Sequence, residues 1–161
     1  MKQGTTICEK LNLALASGFG LGLFAPFAPG TFGSAPGVAL AYWTTRLPLG
    51  AQIAASLALA ALAVPVCSAA ERLLGIKDDG RITADEWMLF PLAVAGIPLA
   101  NLPWFATAVF FCIVRFVDIV KPPPARQLQA VHGGFGIVVD DFVANLYSLA
   151  LNWAVYLAFF K

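Results

Sequence analysis

The chain has 161 residues, of which 60% are apolar and only 12% charged, with a formal net charge of +1. Its charged share is about half that of an ordinary soluble domain, and its mean hydropathy is +0.80. A soluble domain this small exposes too much surface to hide that much apolar side chain, so lipid is the expected surrounding. The near-zero charge gives no basic field for nucleic acid.

The length suits one domain, residues 1–161, rather than two. Met1–Lys10 carries no signal-peptide pattern. Residues 9–17 read as a short apolar helix, followed by GFGLGLFAPFAPGTFGSAPG from Gly18 to Gly37, which is too broken by Gly and Pro for a regular helix. Val38–Leu47 is a short apolar segment ending before Pro48. Ala51–Leu74 is the clearest membrane span, with no charge before Glu71 and Pro65 as a tolerated kink. Ile82–Ala100 and Pro103–Val120 read as a helical pair joined at 101–103, and Lys121–Gly136 as a Pro- and Gly-rich loop. Ile137–Phe160 is a last long apolar helix that starts with two adjacent aspartates, Asp140 and Asp141. Strand alternation of the kind a membrane β-barrel needs is missing from runs such as AASLALAALAV. The expected fold is all-α, an integral membrane helical bundle whose Gly/Pro-rich loops converge on one side.

If 35–48, 51–73, 82–100, 103–120 and 137–160 each cross or nearly cross, the loops sort onto two sides. Lys10, Arg72, Lys77, Arg81, Lys121 and Arg126 fall on one side, and only Arg46 and Lys161 on the other. The positive-inside rule then puts the first side in the cytoplasm.

That same side carries Asp78, Asp79, Asp85, Glu86, Asp118, Asp140 and Asp141, seven of the nine acids. Carboxylates at the ends of apolar helices are costly and persist where something uses them. A dry cluster of them repels itself, and a hard divalent cation relieves the repulsion. Oxygen donors without a Cys or His pair favour Mg²⁺ over zinc. Cys8, Cys67 and Cys112 stand isolated and suggest neither a zinc site nor a disulfide framework. Each acid also has a plainer reading: Asp78-Asp79 as loop charges or a cap, Asp85-Glu86 and Asp140-Asp141 as first-turn acids, and Arg115–Asp118 as a structural ion pair. Asp141, Asn145, Ser148 and Asn152 form a polar stripe, which interhelical hydrogen bonding would also explain.

Two glycine-rich stretches, Pro29–Ser34 and His132–Gly136, offer backbone N–H groups to an anion, with the hydroxyls of Thr31 and Ser34 beside the first. Neither is a P-loop. His132, the one histidine, is of the residue type that suits proton transfer to a leaving alkoxide near neutral pH.

Four blocks in this order resemble the phosphatidylglycerophosphatase A family over nearly the whole chain: GFGLGLFAPFAPGTFGS, KDDGRITADE, VRFVDIVKPPPAR and HGGFGIVVDDFVANLYS. The resemblance implies Mg²⁺-dependent hydrolysis of phosphatidylglycerophosphate to phosphatidylglycerol in a bacterial inner membrane, by a multi-pass protein whose site faces the cytoplasm. Its motif positions fall on Asp78, Asp85, Glu86, Arg115, Asp118, Lys121, Asp140 and Asp141. Asn145 stands where that family commonly has Gly. On this reading Asp85, Glu86, Asp118, Asp140 and Asp141 hold Mg²⁺. Thr31, Ser34, Arg115 and Lys121 bind phosphate, and Asp78, Arg115, Lys121 and His132 take part in catalysis. Metal-bound water and a carboxylate both remain open as nucleophile, and a homo-oligomer remains open as the assembly. The rivals are a phosphatase for another lipid phosphate, a small transporter with acids along an ion path, and a non-catalytic interaction subunit.

Overall fold

The structure, a computed structural model, describes residues 6–25, 27–77 and 79–161, and all the regular structure among them is helical. In chain order the helices are α1 (Ile7–Ala16), α2 (Leu21–Phe24), α3 (Pro29–Gly33), α4 (Ala35–Thr44), α5 (Leu49–Leu74), α6 (Ala84–Ala93), α7 (Trp104–Val120), α8 (Ala125–Leu128) and α9 (Gly133–Phe159). Thr6 and Glu9 start α1 with a reciprocal capping box, each side chain accepting from the other's backbone N–H. The Gly18–Gly37 stretch is broken as its composition predicts. Positive φ at Gly18, Phe19 and Gly20 sets the short helix α2 off from α1, and positive φ at Ala28 precedes the short helix α3.

Two helices, α5 and α9, are long and apolar enough to cross a membrane. They pack against each other, and α6 is packed against both of them and against α4. Nine of the ten residues of α6 are buried, as befits a helix that is apolar nearly all round. Large apolar side chains such as Trp43, Phe24, Trp104, Phe116, Ile119 and Phe159 point outward instead.

One expected element is corrected. The apolar run 82–100 is not a single spanning helix: α6 ends at Ala93, the chain turns through Gly96 at φ 81°, and only a 3-10 turn at Leu99–Asn101 follows. Pro91 removes one helix hydrogen bond, and Pro98 discourages helix just before it. Ten residues of α6 reach about 15 Å, half of a hydrocarbon core. The ten residues of α4 have the same reach. The break lies inside the bundle, where water cannot satisfy its backbone, so side chains do. Asn152 donates to the Ala93 carbonyl at 2.9 Å, Trp153 to Ala95 at 3.0 Å, and Gly96 N–H to Gln52 at 2.8 Å. Asn152 of the polar stripe is therefore an interhelical clasp, whereas Ser148 bonds back to Ala144 within α9.

Candidate active site

The short α6 enters the bundle with Asp85 and Glu86 in its first turn, where the helix dipole favours negative charge. Asp85 is 6% exposed. The C-terminal end of α7 brings Arg115 and Asp118 opposite, and α9 brings Asp140 and Asp141, both buried. Lys121 closes α7 in a left-handed conformation, at φ 44°, a backbone state that a non-glycine residue adopts only at a cost. Its ion pairs supply the compensation.

Arg115 bridges Glu86 at 2.6 Å and Asp118 at 3.0 Å. Lys121 bridges Asp140 at 2.5 Å and Asp141 at 2.7 Å, with Asp118 at 3.5 Å. Burial alone would lower the Lys121 pKa, but Asp141, Asp118 and Asp140 outweigh it and hold the ammonium well above its ordinary value. Ser34 donates a hydrogen bond to Glu86, and Arg115 donates to Ser34 Oγ at 3.4 Å.

The α3 turn lies directly over this network. A methyl group on Gly30 would stand 2.6 Å from Glu86 Oε1 and 2.8 Å from Arg115 Nη2. Glycine is what allows the backbone to approach the charges so closely.

Four chain segments thus supply one cluster in which five carboxyls face two cations. Its interior leaves only about 10 Å³ of space, bounded by Ser34, Glu86, Arg115, Asp118, Asp141 and Asn145 among others. That is hardly room for one water, so a phosphate enters only as these ion pairs exchange partners. Several buried polar atoms have no hydrogen-bond partner: Asp85 Oδ1, Asp118 Oδ1, Asn145 Oδ1 and Arg115 Nε.

These atoms test the fit to Mg²⁺. The donors are hard oxygens, several lack partners, and the negative charge exceeds the positive, all of which suits such an ion. Among the described residues no three His, Cys, Asp or Glu side chains already surround one point. The two basic side chains hold the carboxyls in the arrangement seen.

Ser34, Asp85, Glu86, Arg115, Asp118, Lys121, Asp140 and Asp141 are gathered at or around the cluster. Thr31 lies one residue beyond Gly30, along an apolar groove rather than in the charged pocket. His132 is exposed at the N-cap of α9, eight residues and about 12 Å along the helix before Asp140. Asp78 lies outside the described residues. Its neighbour Asp79 pairs with Arg81 at 2.6 Å and accepts the Arg81 backbone N–H at 3.0 Å, which fixes the turn leading into α6. Asn145 is the pocket residue absent from the motif-derived set. Its amide donates to the Asp141 carbonyl, leaving Oδ1 unbonded. Its place one turn after Asp141, on the stripe already noted, was the available signal.

The sequence model of phosphatidylglycerophosphatase A matches residues 14–156. The chain is 34% identical to phosphatidylglycerophosphatase A of Escherichia coli (strain K12), over 88% of this chain and 81% of that one. It is 35% identical to phosphatidylglycerophosphatase A of Haemophilus influenzae, over 88% and 86%. A Bacteroides thetaiotaomicron protein named "Putative phosphatidylinositol-3-phosphatase" is 32% identical over 88% of this chain and 91% of its own. No solved structure matches. With the family match covering residues 14–156 and these relatives at about 35% identity over most of the chain, the chain belongs to the phosphatidylglycerophosphatase A family.

Proposed function

We propose that this protein is a Mg²⁺-dependent lipid phosphatase that hydrolyses phosphatidylglycerophosphate to phosphatidylglycerol and phosphate. The carrying observation is the convergence of Arg115, Lys121 and five carboxyls, drawn from three segments, in a chain of this family. Excess carboxylate at a site for an anionic substrate makes sense only with added positive charge, and hard-oxygen donors select Mg²⁺. Asp85, Glu86, Asp118, Asp140 and Asp141 would hold it, with Asp85 Oδ1 and Asp118 Oδ1 contributing oxygens that accept no hydrogen bond. When bound, Mg²⁺ supplies charge neutralisation at the phosphoryl oxygens.

Arg115 takes the phosphate. Its Nε has no acceptor, and its Nη1 is shared by Glu86, Asp118 and Ser34, any of which a phosphate oxygen can replace. Ser34 and the Gly30 backbone border the same space. Lys121 stays protonated throughout the physiological range and keeps Asp140 and Asp141 oriented. The protein sits in a bacterial inner membrane as a multi-pass bundle with this site on the cytoplasmic side, in line with two span-length helices and the crowding of loop Lys and Arg.

The test is phosphate release by the purified protein from phosphatidylglycerophosphate, phosphatidic acid and phosphatidylinositol 3-phosphate, with Mg²⁺ or EDTA. The expected result is release from phosphatidylglycerophosphate with Mg²⁺, abolished by EDTA. Equal turnover of all three lipids would overturn the specificity, and EDTA-resistant release would overturn the metal requirement.

A further inference from the structure

An apolar groove of about 480 Å³ runs between α3–α4 and α7, lined by Thr31, Ala35, Val38, Tyr42, Trp104 and Phe111 among others. This volume lies in the range of about 300–1,000 Å³ typical of ligand sites. Its wall is closed by a 2.9 Å hydrogen bond between the hydroxyls of Tyr42 and Thr107, so the lining presents almost only carbon.

Two features tie the groove to the charged cluster. On α7, Trp104, Ala108, Phe111, Arg115 and Asp118 follow at spacings of four, three, four and three, which is one helix face. The face is groove up to Phe111, which also borders the charged pocket, and charged from Arg115 onward. On the opposite wall, Gly30 and Ser34 meet the charges, while Thr31, Ala35, Val38 and Tyr42 meet the groove. From Phe111 to Trp104 the groove extends about 10 Å along the helix, away from the phosphate end.

We propose that this groove is the subsite for one acyl chain of the lipid whose phosphate is held by Arg115. The inference rests on the lipid phosphatase reading above. The direction is the one a lipid tail takes from a headgroup at the membrane surface toward the bilayer centre. A second apolar groove lies beside α7, lined by Val109, Ile113, Phe116 and Leu151 among others; it meets the first along Trp104, Ala108 and Cys112 and shares no residue with the charged pocket. It serves as the control surface.

The experiment compares kcat/KM for long-chain phosphatidylglycerophosphate with that for its deacylated, water-soluble counterpart. Ala35→Trp narrows the groove from an exposed position that a tryptophan can occupy without entering the core. The long-chain to deacylated ratio is expected to fall at least about tenfold, the equivalent of roughly two methylenes losing their burial. Ile113→Trp, on the control surface, should leave the ratio as it is. An unchanged ratio in a folded Ala35→Trp protein would overturn the groove assignment. If the wild type releases no phosphate from either substrate, the phosphatase reading fails, and a second readout judges the groove independently. Phosphatidic acid carrying a diazirine in its acyl chain should label residues 31–42 together with Thr107 and Phe111 in vesicles, less so in Ala35→Trp. Label spread equally over the Ile113 face would refute a dedicated subsite.

Discussion

Replacing Arg115 by lysine keeps the charge and loses the planar fork. Arg115 Nη1 alone reaches Glu86, Asp118 and Ser34, and a compact ammonium cannot hold those partners while presenting a second N–H to phosphate. Arg115→Lys is expected to lower kcat/KM by about 10²-fold or more, measured by phosphate release. A loss under threefold would remove Arg115 from phosphate binding. Asp79 and Arg81 belong to a different task. The Arg81 hydrogen bond holds the Asp79 pKa below its ordinary value, outweighing the opposing effect of burial. A carboxyl whose pKa is lowered on folding stabilises above its unfolded pKa and loses that contribution as pH falls through the folded one. The stability advantage of wild type over Arg81→Ala should therefore be constant near neutrality and shrink below about pH 4. Thermal unfolding in detergent at a series of pH values reads it, and an advantage independent of pH would sink this account.

At the scale of elements, the broken α6 carries its own cost, which Asn152, Trp153 and Gln52 offset. Asn152→Leu leaves the Ala93 carbonyl unbonded inside the bundle. It should destabilise the fold by about 1–3 kcal/mol, seen as a lowered melting temperature with substrate affinity little changed. Equal stability would mean that water reaches the break. This helix is also where sequence reasoning fell short. The runs that became α5, α7 and most of α9 were legible because each is a long apolar stretch, but α9 begins at Gly133, four residues inside the stretch expected to be loop. Residues 82–100 read the same way, since Gly96 and Pro98 are common enough in membrane helices to be passed over. The charged residues stood out because a carboxylate is rare against so much apolar sequence. The groove did not stand out, because Ala35, Val38 and Phe111 would be apolar whether they faced the core, bulk lipid or a bound tail. The PGT setting of Thr31 suggests a phosphate ligand, yet it lies on the groove side of a turn whose other face, Gly30 and Ser34, meets the charges. Half a turn of α3 separates the two outcomes, and no spacing rule fixes a five-residue helix that finely.

For the whole molecule, the cluster gathers at one end of the bundle, where the loops after α5 and α7 meet. Lys77 donates to the Gln129 carbonyl at 3.5 Å, joining the two. If this end faces the cytoplasm, a membrane-impermeant maleimide should label Gln129→Cys, in a background lacking Cys8, Cys67 and Cys112, only in inverted vesicles. Labelling in intact cells would reverse the orientation. The uninterrupted face of α7 has one more consequence, for which lengths of this helix evolution can accept. Each added residue turns everything beyond it by about 100°. A single insertion between Phe111 and Arg115 would leave both groove and charges intact and aim them at different neighbours. With the proposed acyl chain in the groove, α7 would work as a ruler, its register setting a lipid's tail against its phosphate. Relatives of altered chain-length preference are accordingly expected to change the bulk of side chains along α7, never the count of residues between these two marks.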